Sequence, residues 1–129
     1  MLRFEDSNEL LMDAFDEMKK AYDDDDIGYG DTPYSFYSEA FVSYILRQLD
    51  EDNDDELNKI FEFIERLFKD GDKYLAGLAR ISIVDDISYE VEFEKYKGKV
   101  FALCGELTRE AFEDIEEEAD EYRKSQLVA

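Results

Sequence analysis

From Asp6 to Tyr22, apolar residues fall at Leu10, Leu11, Ala14, Phe15, Met18 and Tyr22. Spacings of three and four place them on one stripe at the helical period, so a first amphipathic helix is predicted. Asp6 with Glu9 three residues later fits a capping box in which Asp replaces the usual hydroxyl residue. The run Asp23-Asp24-Asp25-Asp26 opposes the negative C-terminal pole, and the helix is expected to stop at or before it. Gly28-Tyr29-Gly30-Asp31 reads as a loop, and Thr32-Pro33 as a cap followed by proline in the first helical turn. Tyr37, Ala40, Phe41, Tyr44, Ile45 and Leu49 then form the stripe of a second helix, about 33 to 49, from which Phe36 lies off to one side.

Acidic residues from Asp50 to Glu56 connect into a third helix that buries Leu57, Ile60, Phe61, Ile64, Leu67 and Phe68. Gly71 is placed to end it, and Asp72 to cap the next element. In that element Tyr74, Leu75, Leu78, Ala79 and Ile83 share one stripe, while Ile81, Val84 and Ile87 add apolar positions elsewhere. The pattern is that of a helix buried nearly all round. A hairpin is the alternative, because Ile81 to Val84 is β-branched and Tyr89, Val91 and Phe93 alternate with glutamates. Helix is preferred, since an isolated two-stranded hairpin is marginal. After the short apolar piece Val100 to Cys104, a last helix starts at Thr108 and buries Ala111, Phe112, Ile115, Ala119 and Tyr122, with Glu113, Glu116, Glu117, Asp120 and Glu121 outside. Ser125 to Ala129 are expected to fray. The prediction is one all-α domain over 1–129, a compact antiparallel bundle or short helical-hairpin solenoid of five to six helices, with α+β containing a small hairpin near 81–93 as the alternative.

Charge changes what this fold can be for. The chain has 36 acidic and 15 basic residues, a net charge of −21 and no histidine. Its 10 Phe and 9 Tyr rule out the aromatic-poor composition of disordered acidic chains. Such a surface repels phosphate backbones and anionic membranes and attracts basic proteins. With one cysteine, no signal segment and no apolar run of spanning length, a cytoplasmic, monomeric protein is expected.

Candidate chemistry is thin. Calcium loops starting at Asp23 or Asp50 place Tyr34 or Phe61 where a bidentate glutamate is required. Glu113 and Glu117 lack the histidines of di-metal bundles and read as a solvated face. Cys104 and the serines have no histidine to activate them, and Gly28-x-Gly30 lacks phosphate-loop spacing. Neither catalysis nor a metal or other cofactor is expected. The features suited to a basic partner are the acidic runs Asp23, Asp24, Asp25, Asp26 and Asp50, Glu51, Asp52, Asp54, Asp55, with tyrosines Tyr29, Tyr34 and Tyr37 beside the first.

The helix start Pro33-Tyr34-Ser35-Phe36-Tyr37 and the later Phe61-Glu62-Phe63-Ile64-Glu65 resemble those of uncharacterised all-helical bacterial proteins. The chain as a whole resembles the small acidic immunity proteins of contact-dependent inhibition and other polymorphic toxin systems. That resemblance implies stoichiometric neutralisation of one cognate basic toxin domain, a nuclease being the natural case because its groove must hold phosphates. A nucleic-acid mimic acting on DNA-binding proteins, or an acidic helical scaffold, are the alternatives.

Overall fold

A computed structural model describes residues 1–24 and 32–127. Among these residues there are seven helices and no strand, apart from one isolated bridge between Leu2 and Gly71. The helices are α1 (Ser7–Ala14, entered through a 3-10 turn Phe4–Asp6), α2 (Asp16–Asp24), α3 (33–50), α4 (Asp54–Asp70), α5 (73–88), α6 (Phe93–Leu103) and α7 (Glu106–Leu127). The all-α bundle is therefore the fold, and the hairpin does not form. Residues 81–88 are helical, Phe93 begins α6, and Tyr89 and Val91 are exposed rather than alternating into a core.

α4 is the hub. Leu57, Ile60, Phe61, Phe63, Ile64 and Leu67 give it an apolar face wide enough to pack against α3, α5, α6 and α7 at once. One continuous core results, in which Leu11, Phe36, Tyr37, Phe41, Phe112 and Ile115 join the α4 residues.

Three features depart from simple periodicity. The predicted first helix is broken at Phe15, whose backbone is extended (φ −139°, ψ 117°). The break delivers the Phe15 ring to Phe41 (5.4 Å), Phe63 (5.5 Å) and Tyr44 (6.0 Å) in tilted and edge-on geometry. Asp6 makes no side-chain cap; the 3-10 turn runs straight into the helix, the Ser7 N–H donating to the Phe4 carbonyl. In α3 the segment Phe36–Phe41 is π-helical. Residues i and i+5 then lie one turn apart, so Phe36 joins Phe41 in the core instead of standing off the stripe. A second π-helical segment, Arg80–Asp85, packs against the first and lets α5 bury Leu78, Ala79, Ser82, Ile83, Val84 and Ile87.

Two junctions hold the bundle in register. At Gly71 the Leu2 N–H donates to the Asp70 carbonyl (2.7 Å), and the Asp72 N–H donates to the Leu2 carbonyl (2.8 Å). The Asp72 carboxylate caps α5 through the Leu75 N–H (2.8 Å) and also accepts from the Phe4 N–H (3.0 Å), which lowers its pKa. A Cβ on Gly71 would overlap the Leu67 carbonyl oxygen, so close approach rather than an unusual φ requires glycine here. The second junction is Glu65 on α4. It accepts from the N–H of Leu107 (3.1 Å) and of Thr108 (2.9 Å) and from the Thr108 hydroxyl (2.8 Å), capping α7 from another helix.

Candidate functional site

The acidic run at 50–55 sits on the α3–α4 turn. Asp52 adopts the left-handed conformation (φ 51°). The Asn53 N–H donates to the Gln48 carbonyl (3.1 Å) and the Asp52 N–H to that of Leu49 (3.3 Å), a Schellman termination. Its usual apolar contact is replaced by a hydrogen bond from Asn53 Nδ2 to Gln48 Oε1 (2.8 Å). Asp50, Glu51, Asp52, Asp54 and Asp55 are all exposed. Three of the five are engaged by α6. Asp50 accepts from the Tyr96 hydroxyl and lies 3.7 Å from Lys95, and Lys99 pairs with Asp52 and with Asp54 (2.9 Å). These contacts raise the Lys99 pKa and lower that of Asp52. The run is thus largely a docking strip for α6, with Glu51 and Asp55 left over.

Asp23 and Asp24 are exposed at the end of α2, where Asp23 lies 3.6 Å from Lys19. Asp25, Asp26 and Tyr29 lie outside the described residues. Of the other two tyrosines, Tyr34 is exposed and its ring lies 5.9 Å from Phe4, which in turn lies 6.4 Å from exposed Tyr74. Tyr37 is corrected. It is fully buried, its hydroxyl donates to the Ser7 carbonyl (2.7 Å), and burial pushes its pKa far up. The π-helical turn has carried it inside, where no partner reaches it. Tyr74 and Tyr122, expected in buried stripes, are exposed instead.

The feature that sequence reasoning passed over as an ordinary solvated face is on α7. Lys97 takes Glu116, Arg123 takes Asp120 (3.4 Å), and Arg80 takes Asp114 (3.6 Å) and Glu118 (2.8 Å). Glu106, Glu110, Glu113, Glu117 and Glu121 remain, all exposed and with no ion pair among the described residues. Spacings of four, three, four and four align them as a single ridge. Like-charge neighbours at these spacings cost roughly 0.2–0.5 kcal/mol each, or about 1–2 kcal/mol along the ridge. The signal was legible in the spacing, but the removal of neighbouring acids by cations from α5 and α6 was not.

Cys104 is half-buried, and burial pushes its thiol up to about 12, away from the range of a nucleophile. Among the described residues no group of three or more Cys, Asp or Glu is placed to hold a metal ion, and no helix is long and apolar enough to cross a membrane.

These features define an all-helical, strongly acidic domain whose described surface carries a glutamate ridge, an acidic turn partly paired with α6 and exposed aromatic residues. The chain belongs to the family described as a domain of unknown function, DUF7674, whose model matches residues 8–124. No curated protein and no solved structure matches it.

Proposed function

We propose that this protein is an immunity protein that binds a basic toxin domain, a nuclease by preference, and neutralises it stoichiometrically. The observation that carries the reading is the unpaired ridge Glu106, Glu110, Glu113, Glu117 and Glu121 on α7. At 1.5 Å per residue, five charges span roughly 22 Å, or one per about 5 Å. One DNA strand carries a phosphate about every 3.4 Å of axis. A groove built to hold a strand therefore meets a comparable line of negative charge. The ridge costs folding free energy and makes no ion pair among the described residues, which suits a surface whose counter-charge is on a partner. Exposed Asp23 and Asp24 extend the same field, and steering by net charge −21 speeds encounter with a lethal enzyme.

The test is capture from native lysate at low and high salt, followed by kinetics with the purified partner. The expected result is a one-to-one complex with a basic toxin domain, whose association rate falls with salt and falls again when Glu110, Glu113 and Glu117 are changed together to Gln. Recovery of many DNA-binding proteins would support mimicry instead, and absence of any basic partner would sink the reading.

A further inference from the structure

Among the described helices α6 alone carries net positive charge, with Lys95, Lys97 and Lys99 against Glu94, in a chain of net −21. Its side chains reach acids on the neighbouring elements. Lys95 (3.7 Å) and the Tyr96 hydroxyl meet Asp50, Lys99 meets Asp52 and Asp54 (2.9 Å), and Lys97 meets Glu116 on α7. Of its eleven residues only Phe93, Tyr96 and Val100 are buried. Phe93 and Phe101 cover Phe112 of α7, with ring centroids 6.1 and 6.0 Å away. As a helix α6 is weak. Glu92 at its N-cap makes no side-chain cap, and Gly98 stands in its middle, where glycine gives up more backbone freedom than alanine would. A Cβ on Gly98 would meet nothing within 4 Å, so no close approach requires glycine there, unlike at Gly71.

The elements on either side of α6 are anchored without it. Ile87 is buried at the end of α5, and Arg80 of α5 pairs with Asp114 and Glu118 of α7. Glu65 of α4 holds the start of α7 at Leu107 and Thr108. We propose that α6 is a releasable strap, which opens from the bundle while the other helices stay folded and does so more readily as salt rises. Opening uncovers the Phe112 ring and frees Asp50, Asp52, Asp54 and Glu116. Salt acts on the strap and on the bundle with opposite signs. The bundle repels itself through its net negative charge, so screening stabilises it. The strap is held partly by attraction between its lysines and an acidic body, so screening loosens it. The inference concerns this chain alone and stands apart from the proposed function.

The test is native-state amide hydrogen exchange on the full chain, read residue by residue by NMR. Sodium chloride is varied between about 0.01 M and 1 M, over which the screening length falls from about 30 Å to about 3 Å. The amides of Lys97 to Leu103 should be less protected than those of Ile64 and Leu67 on α4. Their protection should fall by about tenfold as salt rises, while that of the α4 amides holds or rises. Gly98→Ala should raise α6 protection roughly fivefold and leave α4 unchanged. Lys95→Gln/Lys99→Gln should lower it at low salt and flatten its salt dependence. Exchange of α6 and α4 with one common protection, a parallel change of both with salt, or α6 protection that rises with salt would each overturn the proposal. Should the lysine variant fail to fold, the salt series on the unmodified protein decides. Capture of a basic partner, or failure to find one, leaves these exchange results untouched, so the two readings fail separately.

Discussion

Replacing Glu65 tests the central structural argument, that one carboxylate on α4 fixes the start of α7. In Glu65→Ala three donors lose their acceptor: the N–H groups of Leu107 and Thr108 and the Thr108 hydroxyl. Thr108 is fully buried, so water replaces the lost bonds poorly. Loss of an N-cap costs about 1 kcal/mol, and orphaning buried donors about 1–3 kcal/mol. Together these give an expected loss of roughly 2–3 kcal/mol, a large share of a typical 5–15 kcal/mol. For a chain of this length the melting temperature should fall by about 10 °C. Glu65→Gln keeps one acceptor oxygen and should lose roughly half as much. Burial alone would raise the Glu65 pKa, but the hydrogen bonds from Thr108 and Leu107 outweigh it, and the net shift is downward from 4.5. A depressed folded-state pKa gives stability that is fully present above 4.5 and is lost as pH falls below it through the folded value. The gap between unmodified protein and Glu65→Gln should therefore be constant from pH 7 to 5 and shrink below 4.5. Urea unfolding at several pH values measures it. A Glu65→Ala loss below about 0.5 kcal/mol, or a gap that widens in acid, would refute the capping argument.

Other consequences are equally concrete. Gly105→Ala should destabilise comparably, because its Cβ would lie 2.5 Å from Glu65 Cδ and the side chain cannot retreat without releasing its hydrogen bonds; thermal melts of the single and double variants should be non-additive. Tyr37→Phe removes the buried bond to the Ser7 carbonyl and should cost about 1 kcal/mol by denaturant titration. Changing Glu113 and Glu117 to Gln should raise the melting temperature at low salt, and the gain should vanish near 1 M salt, where screening acts within about 3 Å. Cys104 should resist a thiol reagent at pH 7 in the folded state and react on unfolding, since burial holds it protonated.

The sequence by itself determined helices α3, α4, α5 and α7, the core face of α4, the termination at Gly71 and the Asp72 cap, because these depend on local spacing and on groups a few residues apart, whereas the helix Phe93–Leu103 did not show in its pattern. Its acidity, too, was complete in the composition. The tertiary structure alone decided what required residues far apart to meet. The break at Phe15 follows from a ring pocket built by α3 and α4, and the inward turn of Phe36 and Tyr37 from a π-helical segment packed against its counterpart in α5. Glu65 reads as one more surface acid until Leu107 and Thr108, 42 and 43 residues later, are brought to it. The acidic surface was sorted in the same way. Lys95 and Lys99 engage three of the five carboxylates on the 50–55 turn, while five glutamates of α7 make no ion pair among the described residues. Periodicity fixes which face of a helix is wet, but only packing fixes which charges on that face find a partner, since an ion pair depends on distances between elements.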